Sequence, residues 1–298
     1  MNHPSPKISV IITTYNRPDL LKRAIESVLN QNYDDFECVV VDDYSSTRKA
    51  KEIVESFDDD RLSYTRHNSN QGLSAARNTG ISQARGTYVA FLDDDDKWAR
   101  EKLSKQVAKF ESLSEEYAII YCWMNYRRQT DEKVVKKYKP SHRGYIFPKT
   151  LDDQPIGSGS TLLIRKDVAQ RIEFDTKLSR GIDGDFIRRV CKEYKVEFVP
   201  KILVDYYIEH NSERITREDE QGIRNAIQGK QTKLRKFDEE LKRYPKRKAM
   251  ICSNLGRRYW QVGEYINSLK YQFCAIRASP RTIGVYKNIL RTIRDFLF

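Results

Sequence analysis

An α/β fold with a mostly parallel sheet, continued by an all-helical C-terminal segment, is the architecture this sequence predicts. Three observations predict it. Short apolar, β-branched runs alternate with helix-spaced segments over the first 120 residues. Acidic and polar residues collect just after several of those runs. From about Glu218 onward the pattern is helical throughout.

The elements follow in order. Ile8–Thr13 reads as a buried strand, and Leu20–Leu29 as a helix started by Pro18 and Asp19. Phe36–Val41 is a second strand, ending in Asp42 and Asp43. Lys49–Phe57 is a helix, Leu62–Thr65 a strand, Leu73–Ala84 a helix and Tyr88–Leu92 a strand that runs into four aspartates. Trp98–Leu113 reads as a helix and Ala118–Trp123 as a strand. Residues 124–155 are less regular and rich in Lys, Tyr and Pro. Thr161–Ile164 is a strand, a helix starts after the Asp183 region and runs to about Tyr194, and strands near Val196–Val199 and Leu203–Ile208 close the body. Sheets of this kind bind ligands beyond the carboxyl ends of their strands. The chemically informative residues fall there: Thr13 to Arg17, Asp42 and Asp43, and Asp93 to Asp96.

Composition narrows the function classes. With 39% hydrophobic and 32% charged residues over 298 positions, the chain can bury a substantial core. No apolar run of membrane-spanning length and no signal-peptide stretch is present, which predicts a cytoplasmic protein. Five scattered cysteines without CxxC spacing read as reduced core thiols. The net charge of +12 is uneven: residues 217–298 hold 19 basic against 8 acidic residues, a surplus of 11. A nearly neutral body with a basic tail predicts docking to something anionic. It disfavours nucleic acid, for which no binding motif is present. No G-x-G-x-x-G follows the first strand, which disfavours a dinucleotide-binding enzyme.

Asp93 to Asp96 form four adjacent carboxylates that need a cation or full solvation. A divalent metal bridging them to a substrate diphosphate would supply the first; an acidic surface turn would supply the second. Four segments decide how they are read. Ile8–Arg17 (ISVIITTYNR), Val39–Ser45 (VVVDDYS), Asn70–Gly80 (NQGLSAARNTG) and Gly86–Trp98 (GTYVAFLDDDDKW) resemble, in this order and spacing, family 2 glycosyltransferases, and the resemblance covers roughly residues 7–210. It implies a GT-A fold, a nucleotide-sugar donor with UDP favoured, a divalent metal (Mn²⁺ or Mg²⁺) and inversion at the anomeric carbon.

The resemblance also assigns roles. Thr13, Tyr15 and Arg17 would line the nucleotide pocket, with the Tyr15 ring stacked on the base. Asp43 would accept the imide N–H of the base, with Asp42 supporting the turn. Arg77 would sit near the donor phosphates, and Asp93 and Asp94 at the donor ribose or sugar. Asp95, closing a D-x-D spacing from Asp93, would be the direct metal ligand and Asp96 a reserve one. For Gly72 and Asn78 a part in the site and plain turn geometry or helix capping are equally open. Gly157, Ser158 and Gly159 either admit the acceptor close to the backbone or form an ordinary tight turn.

Inverting transfer needs one carboxylate as general base. Gly181–Arg189 (GIDGDFIRR) resembles the family's E-D-x-D segment, which places the base at Asp183; helix capping is compatible with that role. Ile182 stands where an acidic residue is frequent, which bears on the acceptor class. Asp185 reads as a cap, a structural partner or an acceptor contact. His210, in YYIEHNSERIT, resembles a family histidine that reaches the metal or diphosphate, although Ile208 replaces the usual Arg; a surface histidine is the alternative.

The predicted domains are 1–216, catalytic, and 217–298, basic and helical. Asn254–Pro280 resembles one tetratricopeptide-like hairpin, too little for a solenoid. Thr282–Phe298 places Ile283, Tyr286, Ile289, Leu290, Ile293 and Leu297 near one helix face, with Arg281, Lys287, Arg291 and Arg294 on the other side. Such a helix suits an anionic membrane surface and a lipid-linked acceptor, or packing on the domain with a solvated basic face. The expected function is sugar transfer from a nucleotide diphosphate donor to an acceptor hydroxyl, on a glycan or lipid-linked acceptor, in polysaccharide, lipopolysaccharide or glycoconjugate synthesis; a peripheral place on the inner membrane face is compatible with it. The alternative is a non-catalytic nucleotide-sugar-binding or scaffolding relative.

Overall fold

The computed structural model describes residues 5–151, 155–208 and 219–297. Two compact units divide the chain. The first comprises Met1–Ile146, Pro155–Thr176 and Phe186–Ser212, and the second Phe147–Gln154, Lys177–Asp185 and Glu213–Phe298.

The first unit is built on one sheet. Its strands are β1 (Ile8–Thr14), β2 (Phe36–Asp42), β3 (Leu62–Arg66), β4 (Tyr88–Asp93), β5 (Lys97–Trp98), β6 (Tyr117–Arg128), β7 (Val134–Tyr138), β8 (Leu163–Arg165) and β9 (Lys195–Ile208). They lie in the order β3-β2-β1-β4-β8-β6-β9-β5, with β7 paired to β6. The first four strands of that order are parallel, as are β6 and β9, while β8 runs antiparallel to both β4 and β6.

Every residue of β1 and β2 is buried, as expected of parallel strands covered on both faces. Alternation along β1 divides the work. Ile8, Val10 and Ile12 join a core with Leu21, Ala24, Ile25 and Val28 of α1 (Pro18–Leu29), Ala50 and Val54 of α2 (Lys49–Glu55), and Leu103, Val107 and Phe110 of α4 (Lys102–Glu111). On the other face α3 (Leu73–Gln83) lies close against β1, where a Cβ on Gly80 would collide with the Ile11 side chain. Gly86 is equally constrained, since a Cβ there would lie 2.6 Å from the Ser9 backbone nitrogen.

The sequence expectations shift in several places. Trp98 belongs to β5, and the helix expected from it starts at Lys102. The strand expected at Ala118–Trp123 runs on to Arg128 and turns back as β7. The two strands expected near Val196 and Leu203 are one strand, β9, with register shifts opposite Cys122 and Trp123. A further helix, α6 (Lys166–Ile172), follows β8 directly.

The second unit contains the short helix α5 (Phe147–Thr150), the first turn of α7 (Ile182–Glu193), and α8 (Glu220–Lys236), α9 (Asp238–Arg243), α10 (Pro245–Gln261), α11 (Tyr265–Ala278) and α12 (Ile283–Leu297). Helices α10 and α11 form the expected hairpin. Gly256 lets α11 approach, since a Cβ there would meet the Gln272 side chain at 2.7 Å, and the Tyr259 and Tyr271 rings stack 5.4 Å apart. All five cysteines are free; Cys252 and Cys274 face each other across the hairpin with sulfurs 3.1 Å apart. The face expected on α12 divides: Ile289 packs into the unit's core beside Val285, while Ile283, Tyr286 and Leu290 stay exposed. Among the described residues no helix is long and apolar enough to cross a membrane.

Candidate active site

The pairing register aligns the strand ends that build the site. Thr13 of β1 lies between Val41 of β2 and Asp93 of β4, and Thr14 is opposite Asp42. Thr13, Asp43 and the aspartates after β4 therefore share the carboxyl edge of the sheet.

The aspartates divide into two sets. Asp93, Asp95 and Asp96 each offer a carboxylate oxygen, all within 4.8 Å of one another. Asp94 is not among these three: its carboxylate accepts from Thr14 Oγ1 at 2.8 Å and from Arg17 at 3.2 Å. Arg17 also reaches Asp95 at 3.3 Å, and Arg23 donates to the Asp95 carbonyl at 2.6 Å while lying 3.8 Å over the Tyr207 ring. Burial and the charge of Asp95 push the Asp94 carboxyl up to about 7, against the pull of Arg17 and Thr14. Burial, then the charges of Asp95 and Asp93, push Asp96 well above the usual carboxylate range. A cation would relieve this crowding of buried carboxylates. The donor set is all oxygen, which suits a hard divalent ion. The residues present thus fit the expected metal, and Asp93, Asp95 and Asp96 are the ones that could hold it.

Each member of the cluster is held from behind. Arg77 is 1% exposed; its guanidinium donates to Asp93 at 2.7 Å and lies 5.0 Å over the Phe174 ring. The expectation for Arg77 is a place near the donor phosphates. The structure sets it beneath Asp93, because the α3 helix carries it into the packed layer with Phe91 and Phe174. Asp96 is fully buried and accepts from Ser160 Oγ at 2.6 Å and from the Tyr207 N–H at 3.2 Å. Ser160 Oγ also accepts from the Asp93 N–H at 3.2 Å, and the Ser160 carbonyl accepts from the Trp98 indole at 2.9 Å.

The neighbouring loops are fixed to one another. Tyr15 is 46% exposed at the end of β1. Asn16, at φ 55°, holds the next loop by donating its N–H to Ser45 Oγ and accepting from the Ser46 N–H. Asp42 is buried and accepts from the Ser45 N–H and the Tyr64 hydroxyl, which is the turn support expected of it. Asp43 accepts from the Gln71 and Gly72 N–H groups at 2.9 and 2.7 Å and pairs with His67, whose other ring nitrogen meets Thr79. Gly72 takes φ +86°, which only glycine adopts without strain, so its N–H can point at Asp43. Asn78 bonds both ways with the Phe174 backbone and so ties α3 to the segment after α6.

In the second unit, Asp183 stands in the first turn of α7 and is half-buried. Asp185 pairs with Lys236 at 2.9 Å, the structural role among those expected of it. His210 lies outside the described residues. Ser160, Arg23 and His67 were not singled out by sequence reasoning. None belongs to a local motif, and each acts on residues far away along the chain.

The sequence profile of glycosyl transferase family 2 matches residues 9–173, more than half of the chain. The chain belongs to glycosyl transferase family 2. This family 2 glycosyltransferase is similar to an uncharacterized glycosyltransferase of Methanocaldococcus jannaschii, 29% identical over 270 residues that cover 87% of this chain and 86% of that one. It is 34% identical over 124 residues to the UDP-Glc:alpha-D-GlcNAc-diphosphoundecaprenol beta-1,3-glucosyltransferase WfaP of Escherichia coli, which is 42% of this chain and 47% of that one. It shares a fold with the solved mannosyltransferase PcManGT of Pyrobaculum calidifontis, in complex with GDP-Man and Mn²⁺. There the TM-score is 0.61 at 17% identity, covering 99% of this chain and 81% of that one. The expected GT-A fold holds for this glycosyltransferase.

Proposed function

We propose that this glycosyltransferase is metal-dependent and inverting, and that it moves a sugar from a UDP-sugar to an acceptor hydroxyl of a glycan or lipid-linked oligosaccharide. The observation that carries this is the gathering of Asp93, Asp95 and Asp96 within 4.8 Å at the carboxyl edge of the sheet. The metal-bound fold relative and the UDP-sugar named for the Escherichia coli relative support it. In this reading residues 1–216 carry the transfer and residues 217–298 are a helical appendage.

Tyr15 stacks on the base, Thr13 lines the pocket and Asp43 presents its remaining lone pairs to the base's N–H. Arg17, held by Asp94 and Asp95, lines the nucleotide pocket. Arg77 acts at one remove, by fixing Asp93 at the donor sugar. A divalent cation, Mn²⁺ or Mg²⁺, held by Asp93 and Asp95 would offset the charge of the departing diphosphate. Asp183 takes the acceptor's proton as the hydroxyl oxygen bonds to the anomeric carbon. The bond to the donor phosphate oxygen breaks, and its electron pair leaves with the nucleoside diphosphate. His210 serves as a further contact to metal or phosphate. The lipid-diphosphate acceptor named for the Escherichia coli relative and the basic C-terminal region together favour work at the inner face of the cell membrane.

A thermal-shift screen of nucleotide sugars, with and without Mn²⁺, tests the proposal. A UDP-sugar should stabilise the chain only with metal present, and Asp95→Ala should abolish that dependence without loss of folding. Indifference of the folded wild type to every nucleotide sugar overturns it and leaves the non-catalytic alternative.

A further inference from the structure

Helices α11 and α12 bury one face and leave the other unusually apolar. Ser268, Gln272 and Ala275 of α11 and Val285 and Asn288 of α12 are buried. On the solvent side of α11, Ile266, Leu269 and Phe273 are 86%, 64% and 68% exposed; on that of α12, Ile283, Tyr286 and Leu290 are 71%, 43% and 65% exposed. The two helices repeat one pattern. After the isoleucine comes a large apolar residue at the third position, a lysine at the fourth, a second large apolar residue at the seventh and an arginine at the eleventh. The cations are Lys270 and Arg277 on α11 and Lys287 and Arg294 on α12, all exposed. At about 100° per residue the five positions fall within an arc of about 100°, with the apolar three along one side and the cations along the other.

An exposed apolar stripe of this kind marks a contact surface. Its charge identifies what is contacted. Residues 265–298 hold six Lys and Arg and a single acidic residue, Asp295. Apolar side chains edged by lysine and arginine suit a lipid interface, where the rings and branched chains enter the acyl boundary and the cations remain with the headgroups. We infer that α11 and α12 together form a docking face for an anionic lipid bilayer, with the α11 stripe as large a contributor as the C-terminal helix. The inference rests on the inner-face reading above and assigns that contact to residues.

Vesicle co-sedimentation of the full chain tests it. Binding to phosphatidylglycerol-containing vesicles should exceed binding to pure phosphatidylcholine by about tenfold or more and should weaken with salt. Leu269→Gln with Phe273→Gln should reduce it strongly, and Lys270→Gln with Lys287→Gln should remove the preference for anionic lipid. Both pairs should keep the wild-type melting curve and nucleotide-sugar binding in solution. Equal binding to both vesicles, or unaltered binding by both variants, overturns the inference. So does self-association of the wild type that the Leu269/Phe273 variant abolishes in the absence of lipid. Loss of nucleotide-sugar binding by the wild type would instead count against the enzymatic proposal and leave vesicle binding untouched.

Discussion

Ser160 Oγ donates a 2.6 Å hydrogen bond to Asp96 Oδ2, and both side chains are fully buried. The same hydroxyl accepts from the Asp93 N–H, so one side chain spans both ends of the acidic turn. Ser160→Ala leaves a buried carboxylate short of a donor. It should cost about 1–3 kcal/mol of stability in a denaturant titration. An unchanged midpoint would mean that water or a rearranged backbone replaces the hydroxyl.

Arg77 holds Asp93 from below, against Phe174. Removing one partner of a buried ion pair strands the other; here the Asp93 side chain is 25% exposed and water relieves part of that cost. Arg77→Met should therefore lower stability by about 2–3 kcal/mol and reduce nucleotide-sugar hydrolysis. Arg77→Lys should restore little, because an ammonium lacks the planar group that lies over the ring while donating to the carboxylate. Full activity in the lysine variant would reduce Arg77 to a point charge.

Much of this site was legible because the strand ends carry it. Buried parallel strands are continuous apolar runs, so Ile8–Thr14, Phe36–Asp42 and Tyr88–Asp93 stand out, and the polar residues following them mark the carboxyl edge. The edge hairpin was not legible. Val134–Tyr138 carries three exposed residues of five, two of them the adjacent Lys136 and Lys137, so neither alternation nor apolarity announces a strand. Lys195–Ile208 reads as two strands, because Pro200 and Lys201 interrupt its apolar runs, yet the strand continues past them by shifting register. Trp98 read as the start of a helix; its indole bond to Ser160 and the pairing of Trp98 with Val204 keep it extended, and only the fold brings those partners together. Ser160 was invisible for the same reason, since its partners lie 64 and 67 residues away.

Lys102 is fully buried, donates to Gln106 and lies 3.8 Å over the Trp98 ring. Burial pulls its ammonium down to about 8 from 10.5. Below pH 8 the folded and unfolded chains both carry the charge, and folding bears the full cost of burying it. Between pH 8 and 10.5 the unfolded chain binds more protons, so this residue's contribution to stability rises with pH. The total gain is about 3 kcal/mol. Buried thiols such as Cys38 and Cys122, pushed up by burial, act in the opposite direction over the same range. The comparison must therefore be with Lys102→Met, which should lack the lysine's rise while keeping the thiol effect. Parallel stability profiles for the two proteins from pH 7 to 10.5 would show that Lys102 is hydrated.

Asp183 occupies the first turn of α7, preceded by Gly181 at φ +76°. An asparagine there retains the shape of the side chain and its capacity to cap a helix start, but cannot take a proton. If Asp183 is the base, Asp183→Asn should fold normally and bind the UDP-sugar as tightly as wild type. Its kcat for transfer should fall by about 100- to 10,000-fold. An effect confined to kcat marks an interaction made in the transition state, whereas a rise in KM alone would place Asp183 in ground-state binding of the acceptor. Asp185→Asn is the control, because Asp185 is engaged with Lys236 and should change stability more than turnover. Near-normal turnover in Asp183→Asn would assign the proton to another carboxylate and leave the donor site, which lies on different elements, as described.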